Sequence, residues 1–329
     1  MVRDRETDSP HPADPGAASA IMAGAMAVRR LSGRSVRGAI AGAVVLVAVA
    51  AAMRGPAVAA EDSERDDKVD TQFIFGFTMG AGVGEVGERE LEHQTQGQWS
   101  KPGGQYVAAT DQLRFEHSPF ENFRFEIGVP LTYYQIAGIP GLDDRRQGAF
   151  NGIVSEFRYR VIDGERAPFQ LTLGAEPHWA RTDEVSGAPV DNFGGELSVA
   201  IDRELVPGRL FAAVNLVYEP EVSRARPVDL WQHESTAALA TSVVAQLAPG
   251  MFFGAEARYL RKYDGLGFDT LLGDAVFVGP NTYLKLSKTL AVSAAWGIQV
   301  AGHAAGAGGG LDVANFTRQQ ALLRVEYNF

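Results

Sequence analysis

The chain has 329 residues, 46 % of them hydrophobic, yet a single apolar run approaches membrane-spanning length, so a bundle of transmembrane helices is excluded. Residues 61–329 carry 36 acids against 23 bases, a net of −13, which is the wrong sign for a nucleic-acid partner, and none is expected. There is no cysteine, which removes a thiol nucleophile, a disulfide framework and any Cys-ligated metal site.

At the N-terminus, Arg29, Arg30, Arg34 and Arg37 precede the apolar run AIAGAVVLVAVAAAM, and Ala57, Val58, Ala59 and Ala60 follow it before the acidic EDSERDD. Basic, apolar and small residues in that order make a secretory signal peptide, so residues 1–60 are expected to be a leader cleaved after Ala60. Met26 is a candidate start. A retained anchor is disfavoured because the run falls short of ~20 residues and Pro56 interrupts its end. Residues 61–71 are then a short periplasmic segment.

Beyond that point the pattern is alternation with period two, the signature of strands with one greasy and one polar face. In FRFEIGVPLTYY, Phe123, Phe125, Ile127, Val129, Leu131 and Tyr133 interleave with Arg124, Glu126, Gly128, Pro130 and Thr132. The same rhythm runs through FNGIVSEFRYR and FQLTLGAEPHW. Twelve strands are expected, at 72–83, 104–117, 123–135, 150–162, 168–179, 192–205, 209–221, 233–247, 251–262, 274–286, 289–302 and 316–329.

Short turns at SPFEN, DGERAP, VPG, LAPG and SKT alternate with longer segments such as EVGEREL, GIPGLDDRR, SGAPVDN, DGLGFD and AGHAAGAGGGLD, read as loops of about nine to twenty residues. Short turns on one side and long loops on the other describe an all-β fold, a closed antiparallel transmembrane β-barrel of about twelve strands over residues 72–329. Phe73, Phe123, Tyr133, Phe150, Trp179, Tyr218 and Phe329 are candidates for aromatic girdles at the membrane interfaces.

On this register the inward face gathers charges of both signs. The candidates for a lumen or eyelet are Arg114, Arg124, Glu126, Glu156, Arg158, Glu176, His178, Glu196, Glu256, Arg258, Lys285 and Arg324, joined by Glu116, Arg160, Asp202, Glu219, Arg318 and Glu326. Such a wall either sorts solutes by size and charge or staples the interior shut.

Signs of an active site are weak. His178 beside Glu176 is better read as a pore-wall residue than as half a metal site. His117 next to Ser118 evokes outer-membrane phospholipases, but neighbours on a strand point to opposite faces. No GxSxG, HExxH or phosphate-binding loop occurs, and GLDD and GLGFD lack the spacing of a calcium loop. No catalytic residue, cofactor or metal is expected, and the chain is not expected to be an enzyme.

The last strand, FTRQQALLRVEYNF, presents Leu323, Val325, Tyr327 and Phe329 on one face and ends on the aromatic. It resembles the C-terminal signal read by the bacterial barrel-assembly machinery, which implies a Gram-negative outer-membrane protein with Tyr327 and Phe329 as its assembly signal. With the hairpin rhythm, LDVANFTRQQALLRVEYNF is also similar to the outer-membrane transporter-like family of meta-pathway aromatic degradation, which implies passage of small organic molecules. The expected function is an outer-membrane channel or transporter for small solutes. The alternatives are a structural or interaction barrel with an occluded lumen and a lipid-modifying enzyme. Outer-membrane lipid, the assembly machinery and an unspecified solute are the expected partners.

Overall fold

A computed structural model describes residues 69–164, 166–226 and 229–329; the expected leader and its cleavage site lie outside the described residues. The chain from Asp67 to Phe329 is one compact unit. Its strands are β1 (Arg89–Trp99), β2 (Gln105–Phe120), β3 (Phe123–Ala137), β4 (Arg145–Phe150), β5 (Ile153–Ile162), β6 (Gln170–Thr182) and β7 (Pro189–Val206). They continue with β8 (Leu210–Ala225), β9 (Leu230–Ala248), β10 (Met251–Asp264), β11 (Thr270–Lys285), β12 (Leu290–Ala304) and β13 (Gln319–Asn328).

Strands β4 and β5 are two halves of one stave. Both pair with β3, β4 along Leu131–Ile136 and β5 along Phe123–Gly128. The break falls at Gly152, whose φ of 97° suits glycine and where a Cβ would stand 1.8 Å from the Trp179 carbonyl oxygen. Twelve antiparallel staves result. Because β1 pairs with both β2 and β13, the sheet closes on itself and leaves no edge.

Closure lets every stave cross hydrocarbon with its backbone bonds made in the sheet. The side chains sort as the alternation requires: Ile127, Val129 and Leu131 are exposed on the outer surface, while Glu126, Gly128 and Pro130 between them are buried. Leu113, Phe157, Leu173, Leu197, Leu216 and Phe253 extend this outward apolar belt around the wall. An apolar belt around a closed barrel with charges inside is a membrane barrel, and the protein belongs in the outer membrane.

Three expectations need correction. Residues 72–83 are not a strand; they form turns inside the barrel, and the first stave is β1, in a segment read as loop. Phe73 accordingly lies in the lumen rather than in a girdle. The loop-end connections are also shorter than expected: 100–104, 138–144, 183–188, 226–229 and 265–269 are brief, and only 305–318 is long. The difference went into the strands. β7 has 18 residues and β9 has 19, well beyond the ~9–11 that cross a membrane, so their hairpins continue past the bilayer.

Both ends of the barrel sequence meet at the short-turn end, where the Phe329 amide donates to the Arg89 carbonyl at 3.1 Å. An interior of twelve staves is too wide for side chains alone to fill. What fills it decides what the barrel can pass.

Candidate functional site

The lower lumen is filled by residues 69–83, which enter at the short-turn end and fold back on themselves, the Gly80 amide donating to the Gln72 carbonyl at 2.9 Å. The reversal needs glycine. A Cβ on Gly80 would lie 1.9 Å from the Thr71 carbonyl oxygen, and one on Gly76, at φ 80°, would meet Ala295 and Asn281 at under 3 Å.

This internal segment is tied to the wall all round. Glu256 accepts from the Phe77 and Thr78 amides at 3.0 and 3.1 Å and from the Thr78 hydroxyl at 3.3 Å. Asn215 brackets Met79, accepting from its amide at 2.6 Å and donating to its carbonyl at 2.7 Å. Asp202 accepts from the Ala81 amide at 2.6 Å and from the Thr71 hydroxyl. Asn281 donates to the Phe75 carbonyl, Thr172 to that of Ala81, and Arg158 to that of Gly80.

Apolar burial supplements these bonds. Ile74 and Phe75 pack with Phe211, Ala213, Val244 and Phe252 into a cluster within the barrel. Both are almost wholly buried, and each contributes about 1.5–3 kcal/mol. Phe73 lies 4.3 Å beneath the Arg324 guanidinium and Phe77 lies 3.8 Å from that of Arg258, so two predicted lumen arginines carry aromatic rings of the internal segment.

Above and beside it runs an ion network. Arg114 reaches Glu176 at 2.8 Å, Glu126 at 3.2 Å, Glu92 at 3.8 Å and Glu156 at 3.9 Å. Arg124 pairs with Glu116, with Glu90 at 3.2 Å and with Glu126 at 3.7 Å; Arg324 pairs with Glu92 at 2.8 Å; Arg158 lies 3.7 Å from Glu156. The four arginines are buried, and Arg114 and Arg124 each neutralise more than one carboxylate.

Strand register explains why the acids outrun the bases. Glu90 faces Glu116, Glu116 faces Glu126, Glu126 faces Glu156, and Glu176 faces Glu196. Phe157 faces Ala175, which sets Glu156 beside Glu176, and Leu197 faces Tyr218, which sets Glu196 beside Glu219. Glutamates thus occupy one continuous row across seven neighbouring staves. Since the staves of a barrel tilt by roughly 35–45°, a row along the hydrogen bonds climbs as it goes round. It begins at Glu90 by the short-turn end and reaches Glu219 in the upper half.

The upper half is a vestibule enclosing a cavity of about 430 Å³. Eight carboxylates line it against Arg114, Lys262, Arg324 and His178. His178 stands 3.5 Å from Glu221, and Lys262 is engaged by Glu234 at 2.7 Å. On the other side β1 presents Gln94, Gln96 and Gln98, six staves round the ring of twelve from Glu219 and Glu221 on β8.

The predicted residues therefore divide. Arg124, Glu126, Arg158, Glu256, Arg258 and Arg324 surround the internal segment; Arg114 and Glu156 lie where it meets the vestibule; Glu176, His178 and Glu196 line the vestibule. Lys285 sits exposed at the short-turn rim, and Arg318 is exposed in the connection before β13, outside the lumen where it was expected, because β13 starts only at Gln319. His117 and Ser118 do not face each other: the His117 ring bonds the Glu88 carbonyl at 2.8 Å and the Ser118 hydroxyl that of Val83 at 2.6 Å.

Glu90, Glu92, Lys262, Asn215 and Asn281 were missed. The first two lie on β1, whose outward side holds few apolar residues; the period-two glutamines Gln94, Gln96 and Gln98 were the signal. Lys101, in the β1–β2 connection, donates to the carbonyls of Val313, Ala314 and Phe316 at 2.9–3.1 Å and so pins the long loop, with burial pushing its ammonium down to about 8. Among the described residues no three His, Asp or Glu side chains come together to hold a metal ion.

Solved structures with the same overall architecture include the COG4313 outer membrane channel from Pseudomonas putida F1, with a TM-score of 0.51 at 12 % identity over 75 % of this chain and 97 % of that one. The KdgM porin in complex with disordered oligogalacturonate aligns with a TM-score of 0.39 at 14 % identity over 74 % of this chain and 99 % of that one. The TodX monoaromatic hydrocarbon channel aligns with a TM-score of 0.36 at 12 % identity over 79 % and 97 %. At 12 % identity the likeness to the COG4313 channel speaks for the fold alone. No curated protein matches the sequence. The family model that matches, over residues 67–329, is DUF6662, a family of unknown function, and this outer-membrane β-barrel chain belongs to that family.

Proposed function

We propose that the protein is an outer-membrane channel for small solutes, organic ones among them, whose lower lumen is occupied by its own residues 69–83. The observation that carries this reading is the polar vestibule of about 430 Å³ leading down to a segment that is docked inside the barrel by side-chain hydrogen bonds and one apolar cluster and is not a strand of the sheet. A structural barrel would have no need of a solvated, charged vestibule. Single-channel recording of the protein in a planar bilayer tests it, with stable conductance steps as the expected result.

The number of ties between the internal segment and the wall favours a second reading, an occluded barrel that meets partners through its loop end. A folded protein that stays electrically silent, even without residues 71–83, would select it.

Assembly is proposed to use the last strand. Supporting this reading, Tyr327 and Phe329 are both exposed on the outer face, with their rings stacked 6.3 Å apart. Removing Phe329 is expected to lower the heat-modifiable protein in the outer-membrane fraction; an unchanged yield would count against this role.

A further inference from the structure

We infer that the vestibule is a binding site for an aliphatic polyamine or a comparable extended organic cation. This rests on the channel reading only for its physiological meaning, since the site is defined by the lumen wall itself.

The first observation is an unspent row of charge. Glu176, Glu196 and Glu219 stand on adjoining staves, so their backbones are spaced about 4.8 Å apart. Of the three only Glu176 has a cation in contact, at Arg114; among the described residues Glu196 and Glu219 have neither an ion-pair nor a hydrogen-bond partner. Lower in the lumen the same row is answered by Arg124, Arg158 and Arg114. Beyond Glu176 no arginine contacts the row, and the acids continue.

The second observation is independent of charge. Asn192 lines the same cavity and is only 8 % exposed, its amide nitrogen donating to Glu221 at 3.3 Å. Its carbonyl oxygen has no partner. A buried acceptor left open costs about 1–3 kcal/mol, which an N–H donor from a ligand would recover. Carboxylates and an amide oxygen all ask for the same thing, a cation that carries N–H groups.

The arrangement also selects the shape of that cation. A compact metal ion needs several oxygens converging on one point, and no such group of three exists among the described residues. Acids strung along neighbouring strands instead match ammonium groups separated by short methylene chains, with the Gln96 amide on the far wall as a neutral acceptor. An anionic solute would face the row unscreened.

The test is isothermal titration of spermidine into the purified protein in detergent micelles, alongside reversal potentials in bilayers under a salt gradient. Saturable binding is expected, weakening as ionic strength rises, and weakened about tenfold or more by the double change Glu196→Gln and Glu219→Gln. Glu219→Gln alone should weaken it less, and heat-modifiability checks that each variant is folded. Absence of binding, binding indifferent to both variants, or displacement by an equal concentration of calcium would each overturn the proposal. The two readings separate cleanly: spermidine binding by an electrically silent barrel keeps the site and removes the channel, whereas conductance without cation preference or spermidine binding keeps the channel and removes the site.

Discussion

The two halves of the lumen are built from the same row of glutamates and end in opposite states. In the lower half, Arg114 of β2 and Arg124 of β3 each reach three or more carboxylates, Arg158 of β5 and Arg324 of β13 reach one each, and the internal segment supplies backbone amides, aromatic rings and an apolar cluster. In the upper half Arg114 reaches Glu176 from the boundary, and above it the acids meet one lysine, one histidine and open volume. The comparison teaches that charge count alone does not decide whether a barrel interior is closed. Closure follows where arginines and the internal segment reach the row, and an open cavity persists where they run out.

The largest test of that contrast is deletion of residues 71–83. The barrel is expected to fold, because the staves pair without this segment, and its conductance is expected to rise several-fold over that of the intact protein. An unchanged conductance would show that the constriction lies elsewhere, for example at the inward-packed Phe316. Next in size is Arg114→Ala, which strands carboxylates of four strands at the boundary between the halves. A loss of about 3–5 kcal/mol in unfolding free energy is expected, read by denaturant titration in micelles.

Glu256→Ala attacks the lower half more locally by removing the acceptor of the Phe77 and Thr78 donors. It should weaken docking of the internal segment by about 1–3 kcal/mol, visible as faster hydrogen exchange at those amides and as brief openings in bilayer records. Glu219→Gln is the control from the other half. With no partner to lose, it should move stability by no more than about 0.5 kcal/mol, and a larger loss would mean that the upper acids hold the wall together after all.

Much of this was legible in the sequence, element by element. β3 could be read residue by residue, since Phe123 to Tyr133 face outward and Arg124 to Thr132 inward as the alternation requires. Residues 72–99 were not legible, for two related reasons. QFIFGFTMGAGV places Phe73, Phe75 and Phe77 at strand spacing, and period-two hydrophobicity is equally satisfied by a wall or by a segment buried within one. RELEHQTQGQW, by contrast, lacks the outward apolar residues that mark a membrane strand, and pairing with β2 and β13 makes it one regardless.

The sequence by itself determined the all-β character, the hairpin order from β2 onward and most of the inward-facing charges on those strands, because a strand's two faces are fixed by local alternation. Only the tertiary structure decided that Glu90 through Glu219 form one climbing row, that the arginines answer its lower part alone, and that residues 69–83 lie inside. Those facts depend on register between strands distant in sequence and on the closed wall's interior volume, and neither quantity is written in the periodicity of any single strand.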